Sequence, residues 1–254
     1  MSITFLYNLF IQGDMQLTVT EVIQETHDTV TLRFGFSKEK RISFIPGQFV
    51  MMAVGTEKEG KPTVVKRSYS VASSPTKDYL DLTIKAMPNG FISKQIQNTK
   101  EGEQFEITGP FGHFAFNDKE MPEIVLIGAG SGISPLRCII QYIQDKQLKT
   151  KAALIYSNKT PDDIIFKKEL LEMNDEIQNF TLYLTITRPE EMENFRKWTG
   201  HTGRIDEAFL KECVSDVKKP FYFLCGPPEF VKSMETLLLE LTVPKEKIKK
   251  EVYG

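Results

Sequence analysis

Residues 28–36 alternate: Val30, Leu32, Phe34 and Phe36 fall on every second position between Thr29, Thr31 and Arg33. That is the period of a half-buried strand. Tyr79 to Ala86 repeats it, with Leu80, Leu82 and Ile84 apolar and Asp81, Thr83 and Lys85 polar. Leu17/Val19, Phe49 to Val54 and Phe105/Ile107 supply shorter candidates, set apart by Pro46-Gly47, Pro88-Asn89-Gly90 and Gly109-Pro110 turns. Many short strands at this spacing predict a small antiparallel barrel.

Near Met121-Pro122 the rhythm changes. Apolar runs at 124–127, 152–156, 180–186, 221–224 and around 248–252 now alternate with helical stretches at 135–147, 164–173 and 229–241. Such alternation marks βαβ units and a parallel sheet. The prediction is a β plus α/β chain in two domains, 15–118 and 119–254. Residues 1–14, the first eleven of them largely apolar, form an extension or tail ahead of Met15. They lack the basic start and cleavage site of a signal peptide and are too short to span a bilayer.

Composition narrows the chemistry. Lys+Arg of 32 against Asp+Glu of 34 leaves a net charge of −2, which argues against nucleic acid as a partner. Cys138, Cys213 and Cys225 are widely separated and too few for a four-cysteine iron–sulfur cluster. His27, His113 and His201 lie in unrelated segments, so no metal site is expected. A reducing cytoplasm is the expected compartment, without membrane contact.

Ile124 to Pro135 reads as a buried strand, a glycine-rich turn (Gly128, Gly130, Gly132) and a helix start. Glycines let backbone approach a pyrophosphate, and the free N–H groups of the following helix attract its charge. Pro135 suits a first helical turn because it has no N–H to satisfy there. Position 133 is Ile, so the full Gly-x-Gly-x-x-Gly fingerprint is not met, and such a turn alone also serves as a plain connector. Cys225-Gly226-Pro227-Pro228 ends another apolar run, at the strand end where open α/β sheets bind ligands. Alone, Cys225 reads first as a buried small hydrophobe. In the first half, Arg67-Ser68-Tyr69-Ser70 offers a guanidinium fork, an aromatic face and a hydroxyl. Gly90-Phe91-Ile92-Ser93 precedes a short helical stretch with N–H donors; each piece alone also fits a strand or a cap.

Taken in order, Arg-x-Tyr-Ser, Gly-x-x-Ser, Gly-x-Gly-x-x-x-x-Pro and Cys-Gly-Pro-Pro resemble the ferredoxin–NADP reductase superfamily across residues 15–254. Pro46-Gly47-Gln48-Phe49 and Gly109-Pro110-Phe111-Gly112 fit the same pattern. The resemblance implies a Greek-key flavin barrel followed by a nucleotide domain of strand order 3-2-1-4-5. It implies bound FAD, with FMN the alternative, and NAD(P)H as co-substrate. Tyr69 would stack on the flavin ring, Ser70 would lie near its reactive nitrogen, and Arg67 with Gly90, Phe91, Ile92 and Ser93 would hold its phosphates. Gly128, Gly130, Gly132 and Pro135 would shape the nucleotide's pyrophosphate site. Cys225 would lie by the nicotinamide, walled by Gly226 and Pro227, and Tyr253, here followed by Gly254, would cover the flavin's other face. Ser70, Cys225 and Tyr69 are the implied catalytic positions.

A 2′-phosphate would lie near Ser157 and Lys159, while Thr160-x-Asp162-Asp163 is similar to NADH-using cytochrome b5 reductases. The implied activity passes electrons to a separate ferredoxin, flavodoxin, cytochrome or oxygenase component, docking at the domain seam. Lys61, Lys66 and Lys85 are placed on its rim. The alternatives are an electron-transfer subunit active only in a complex, or a reductase of free flavin or another small acceptor.

Overall fold

The computed structural model describes residues 15–36, 41–58, 60–191 and 198–253. The predicted tail at 1–14 lies outside the described residues. Two six-stranded sheets carry the fold, one antiparallel and one parallel.

The first sheet runs β1 (Met15–Thr26), β2 (Thr29–Gly35), β3 (Phe49–Lys58), β4 (Lys61–Ser70), β5 (Tyr79–Lys85) and β6 (Gln104–Phe111), in spatial order β4-β3-β6-β1-β2-β5. It closes on itself where Val71, just past β4, bridges Leu82 of β5. Val19, Leu32, Phe34, Met52, Leu80 and Ile107 fill the barrel and are fully shielded from water. The short helix α1 (Phe91–Ile96) drops Ile92 and Ile96 into the same core.

Two expectations need correction. Gly109-Pro110 is no turn; both residues lie within β6, where an irregular register pairs Phe49 with Phe111 and Met51 with Thr108. Nor are β2 and β5 half-buried. The polar face of their alternation is covered as well, leaving Thr29, Thr31 and Asp81 at 0% exposure. Buried polar groups need partners, and they have them. Thr31 and Thr83 hydroxyls pair at 2.9 Å, and Asp81 is held by two arginines, one of them Arg137 of the second domain.

The second sheet contains β7 (Glu123–Ala129), β8 (Lys151–Asn158), β9 (Phe180–Ile186), β10 (His201–Thr202), β11 (Phe221–Gly226) and β12 (Ile248–Val252). Its order is β10-β9-β8-β7-β11-β12: the predicted 3-2-1-4-5 arrangement with a two-residue strand added at one edge. A parallel sheet is covered on both faces, so its central strands are apolar throughout. On one side Ile124 and Leu126 meet α2 (Ile133–Asp145) and α3 (Lys167–Glu176). On the other, Val125 and Ile127 meet α4 (Glu207–Cys213) and α5 (Pro228–Glu240).

The two cores merge at the seam. Phe114, from the segment after β6, packs edge-to-face on Phe223 of β11 with ring centroids 5.1 Å apart, and Cys138 of α2 packs with the barrel core. No helix among the described residues is long and apolar enough to cross a membrane.

Candidate functional site

Parallel pairing sets Gly128 of β7 beside Tyr156 of β8 and Cys225 of β11, so the glycine-rich turn and the Cys-Gly-Pro-Pro segment share one end of the sheet. Gly130 has φ +53°, a left-handed conformation natural to glycine, and its carbonyl accepts a 2.8 Å bond from the Tyr156 hydroxyl. Gly132 is needed for space instead. Its φ of −61° suits any residue, but a Cβ there would lie 2.2 Å from the Cys225 carbonyl oxygen. The two segments therefore touch through backbone. Pro135 occupies the first turn of α2, as expected. Ser157, next to last in β8, lies at the same end of the sheet and is buried, while Lys159 is exposed just beyond the strand. Thr160 and Asp163 form a capping box, so that motif has a structural use of its own.

On the barrel, β3 and β4 pair Val50 with Tyr69 and Met52 with Arg67. Directly opposed residues share a face, so Arg67 and Tyr69 lie on the core side of the sheet. Arg67 is nevertheless exposed and Tyr69 only half-buried: the barrel is open there. Burial pushes the Tyr69 phenol up to about 12, with the Arg67 charge opposing it, so it stays neutral. Among the described residues the guanidinium of Arg67 donates only to the Lys66 carbonyl, at 3.0 Å. Gly90 starts α1, whose Gln95 side chain donates to Gly55 of β3 at 2.7 Å and ties the helix to this side of the barrel. Phe91 stands 67% exposed and Ile92 points into the core. The Ser93 hydroxyl is used within the turn, accepting from the Met87 amide at 2.9 Å and donating to the Gly90 carbonyl at 3.2 Å.

The halves meet at Ser70. Its buried hydroxyl donates to the Glu251 carboxylate of β12, and Glu251 lies beside Cys225 in the β11–β12 register. Burial raises the Glu251 carboxyl, and the Ser70 hydrogen bond and then the nearby Tyr253 hydroxyl pull it partly back. The Cys225 thiol is wholly buried, and burial first, then the Glu251 charge, lifts it well above the thiol range; it is a neutral S–H. Tyr253 completes the group. Its amide donates to the Gly226 carbonyl at 2.9 Å. Its hydroxyl is buried beside Ser70, Cys225 and Glu251 without a hydrogen bond of ordinary geometry. Pro227 leads directly into α5.

Sequence reasoning missed Glu251. In Ile-Lys-Lys-Glu-Val a carboxylate reads as solvent-facing, and the signal available was its place on the last strand two residues before Tyr253. Of the rim lysines, Lys66 pairs with Glu106 at 2.9 Å and Lys85 with Asp28 at 2.7 Å, while Lys61 is exposed with no ion pair among the described residues.

The profile of the family described as Oxidoreductase FAD-binding domain matches residues 16–116, and that of the Oxidoreductase NAD-binding domain matches residues 126–236. The chain is 30% identical over 228 residues to the glycine betaine monooxygenase reductase subunit of Chromohalobacter salexigens, covering 89% of this chain and 60% of that one. It thus spans less than two thirds of that relative. It is 31% identical over 254 residues to NADH-cytochrome b5 reductase 1 of Aspergillus fumigatus, covering 94% of this chain and 79% of the relative. The fold matches the cytochrome b5 reductase domain of Ulva prolifera nitrate reductase, with TM-score 0.81, 24% identity and coverage of 94% and 97%.

The residues present fit these two ligands. The open side of the barrel at Arg67 and Tyr69 suits a planar ring with a phosphate tail. The cradle at Gly132, which a Cβ would fill, suits close passage of a dinucleotide.

Proposed function

Because this chain belongs to the ferredoxin–NADP reductase superfamily, we propose that it is a flavin-dependent NAD(P)H oxidoreductase passing electrons to an acceptor outside these 254 residues. When bound, FAD supplies a hydride-accepting ring that can release its two electrons singly. The protein supplies the rest. Arg67 meets phosphate charge with its fork of donors, the Tyr69 ring gives an aromatic platform, and Ser70 presents its hydroxyl at the platform's end. Across the seam, the turn at Gly128–Gly132 and the start of α2 receive the nicotinamide nucleotide's pyrophosphate. The uncharged Cys225 thiol, with Gly226 and Pro227, walls the reacting end, and Glu251 holds the Ser70 hydroxyl in one orientation.

The contact of Ser70 with Glu251 carries this reading, because it joins the barrel's motif to the nucleotide domain's motif in one buried group. Residue 118, between β6 and β7, is our boundary between the domains. Lys159, exposed beyond β8, is our candidate for a 2′-phosphate contact, with NADH accepted as well. The names of the relatives favour an oxygenase component or a cytochrome as acceptor over free flavin. Three free cysteines support a reducing cytoplasm.

The test is direct. The purified chain should be yellow, release one FAD per chain on acid extraction, and be bleached anaerobically by NADH or NADPH. A colourless protein that neither binds added FAD nor oxidises NAD(P)H refutes the proposal. Reduction of cytochromes, ferredoxins and oxygenase components side by side then ranks the acceptors.

A further inference from the structure

Helix α2 begins at the glycine-rich turn and then lies along the barrel. One stripe of it, at four-residue spacing, is polar and faces the segment that follows Ser70. Arg137 donates to the Ala72 carbonyl at 3.0 Å and to Asp81 at 3.3 Å. Gln141 accepts from the Ser74 amide at 2.9 Å. Asp145 takes Lys77 at 2.8 Å and the Thr76 hydroxyl. The same stripe is braced from behind by α3, where Glu169 receives Arg137 at 2.8 Å and Gln141 at 2.7 Å. Residues 72–77 are the direct continuation of the strand bearing Tyr69 and Ser70. Thus the helix that opens on the nucleotide turn is fastened to the loop that leaves the flavin motif.

Arg137 is the centre of this seam. It is 5% exposed, stacks on Phe166 with its guanidinium carbon 4.3 Å from the ring centroid, and reaches both domains at once. Its partner Asp81 is fully buried and also gripped by Arg33 through two bonds of 2.9 and 3.1 Å. A planar guanidinium can serve a carbonyl and two carboxylates in fixed directions, which an ammonium cannot.

We infer that Arg137 is a positioning residue: its buried contacts set the nucleotide turn of α2 against the Ser70 segment, and so align the two halves of the reaction site. It touches none of the residues assigned to either ligand. The inference rests on the proposed reductase activity for its kinetic consequence, but the seam itself can be measured without it.

The variant is Arg137→Met, with Arg137→Lys beside it. Methionine fills similar volume on a helix, Asp81 keeps Arg33 and Glu169 keeps Gln141, so both carboxylates that bond Arg137 retain a partner. Amide hydrogen exchange comes first. In Arg137→Met, exchange at Ser74 and its neighbours should accelerate while α5 stays as protected as in the parent; exchange unchanged at 72–77 overturns the inference whether or not the chain is a reductase. A rise everywhere, α5 included, assigns Arg137 to general stability and overturns it too. Stopped-flow reduction comes second. A misalignment near 1 Å predicts a reduction rate lower by about 100-fold, with flavin content and NAD(P)H affinity retained. Arg137→Lys should recover part of the rate. A parent chain that NAD(P)H does not reduce refutes the proposed function and leaves the exchange result to judge the seam.

Discussion

Gly132→Ala is the sharpest probe of how the two nucleotide segments meet. The added Cβ would sit 2.2 Å from the Cys225 carbonyl oxygen, 2.5 Å from its carbon and 2.8 Å from the Gly226 nitrogen. Close carbon–oxygen contacts settle near about 3.3 Å, so the start of α2 and the end of β11 must part by about 1 Å. All three obstructing atoms are backbone in a paired strand, so no side-chain rotation relieves them. Overpacking of this kind costs about 1–3 kcal/mol in stability, and a 1 Å displacement at a reacting centre costs about 100-fold in rate. The expected variant is folded, somewhat less stable, loaded with flavin and slow in anaerobic reduction by NADH. Gly130→Ala is the control: it meets no atom within 4 Å, and its strain comes from φ +53° alone. That left-handed penalty is about 1–2 kcal/mol. Wild-type reduction kinetics in Gly132→Ala would refute the claim that backbone contact aligns the site.

Two further outcomes follow from the buried group at the seam. Cys225→Ala should slow reduction while leaving flavin content intact, and the parent's reduction rate should show no thiol titration near pH 8–9, where a free cysteine ionises; such a titration would mean that the thiol is not held neutral. Glu251 tests linkage. Burial raises its folded-state value, so the ionised form costs the folded chain stability; that cost is absent below the unfolded value of about 4.3 and develops as pH rises through the folded one. Glu251→Gln should therefore gain thermal stability on the parent between about pH 4 and pH 7, and a gap that does not change with pH contradicts the assignment.

What the sequence revealed and what it concealed divide along physical lines. β7 and the turn after it were legible because a wholly apolar strand followed by glycines has few other uses. Strands β2 and β5 were legible from alternation, yet their polar face misled: Asp81 looks solvated in Tyr-Leu-Asp-Leu-Thr-Ile-Lys and is fully buried. Only Arg33 and Arg137, far along the chain, make that burial tolerable. β4 gave no period because its core side is left open at Arg67 and Tyr69. α4 and β10, of 7 and 2 residues, were missed as too short to build a pattern. Glu251 was missed because its role depends on strand register, which composition does not carry.

The margins of the two sheets bear on how the protein behaves when crowded. A long, flat, unpaired strand invites another chain to add to it. The barrel removes that hazard by joining its ends through Val71 and Leu82. The parallel sheet ends on one side in the two residues of β10, where the Trp198 indole already donates to the His201 carbonyl at 2.9 Å and the His201 ring stacks on Phe209. On the other side it ends in β12, where Lys249 and Lys250 place charge along the border. Among the described residues, a two-residue strand at one margin and lysines at the other both discourage strand addition to this sheet.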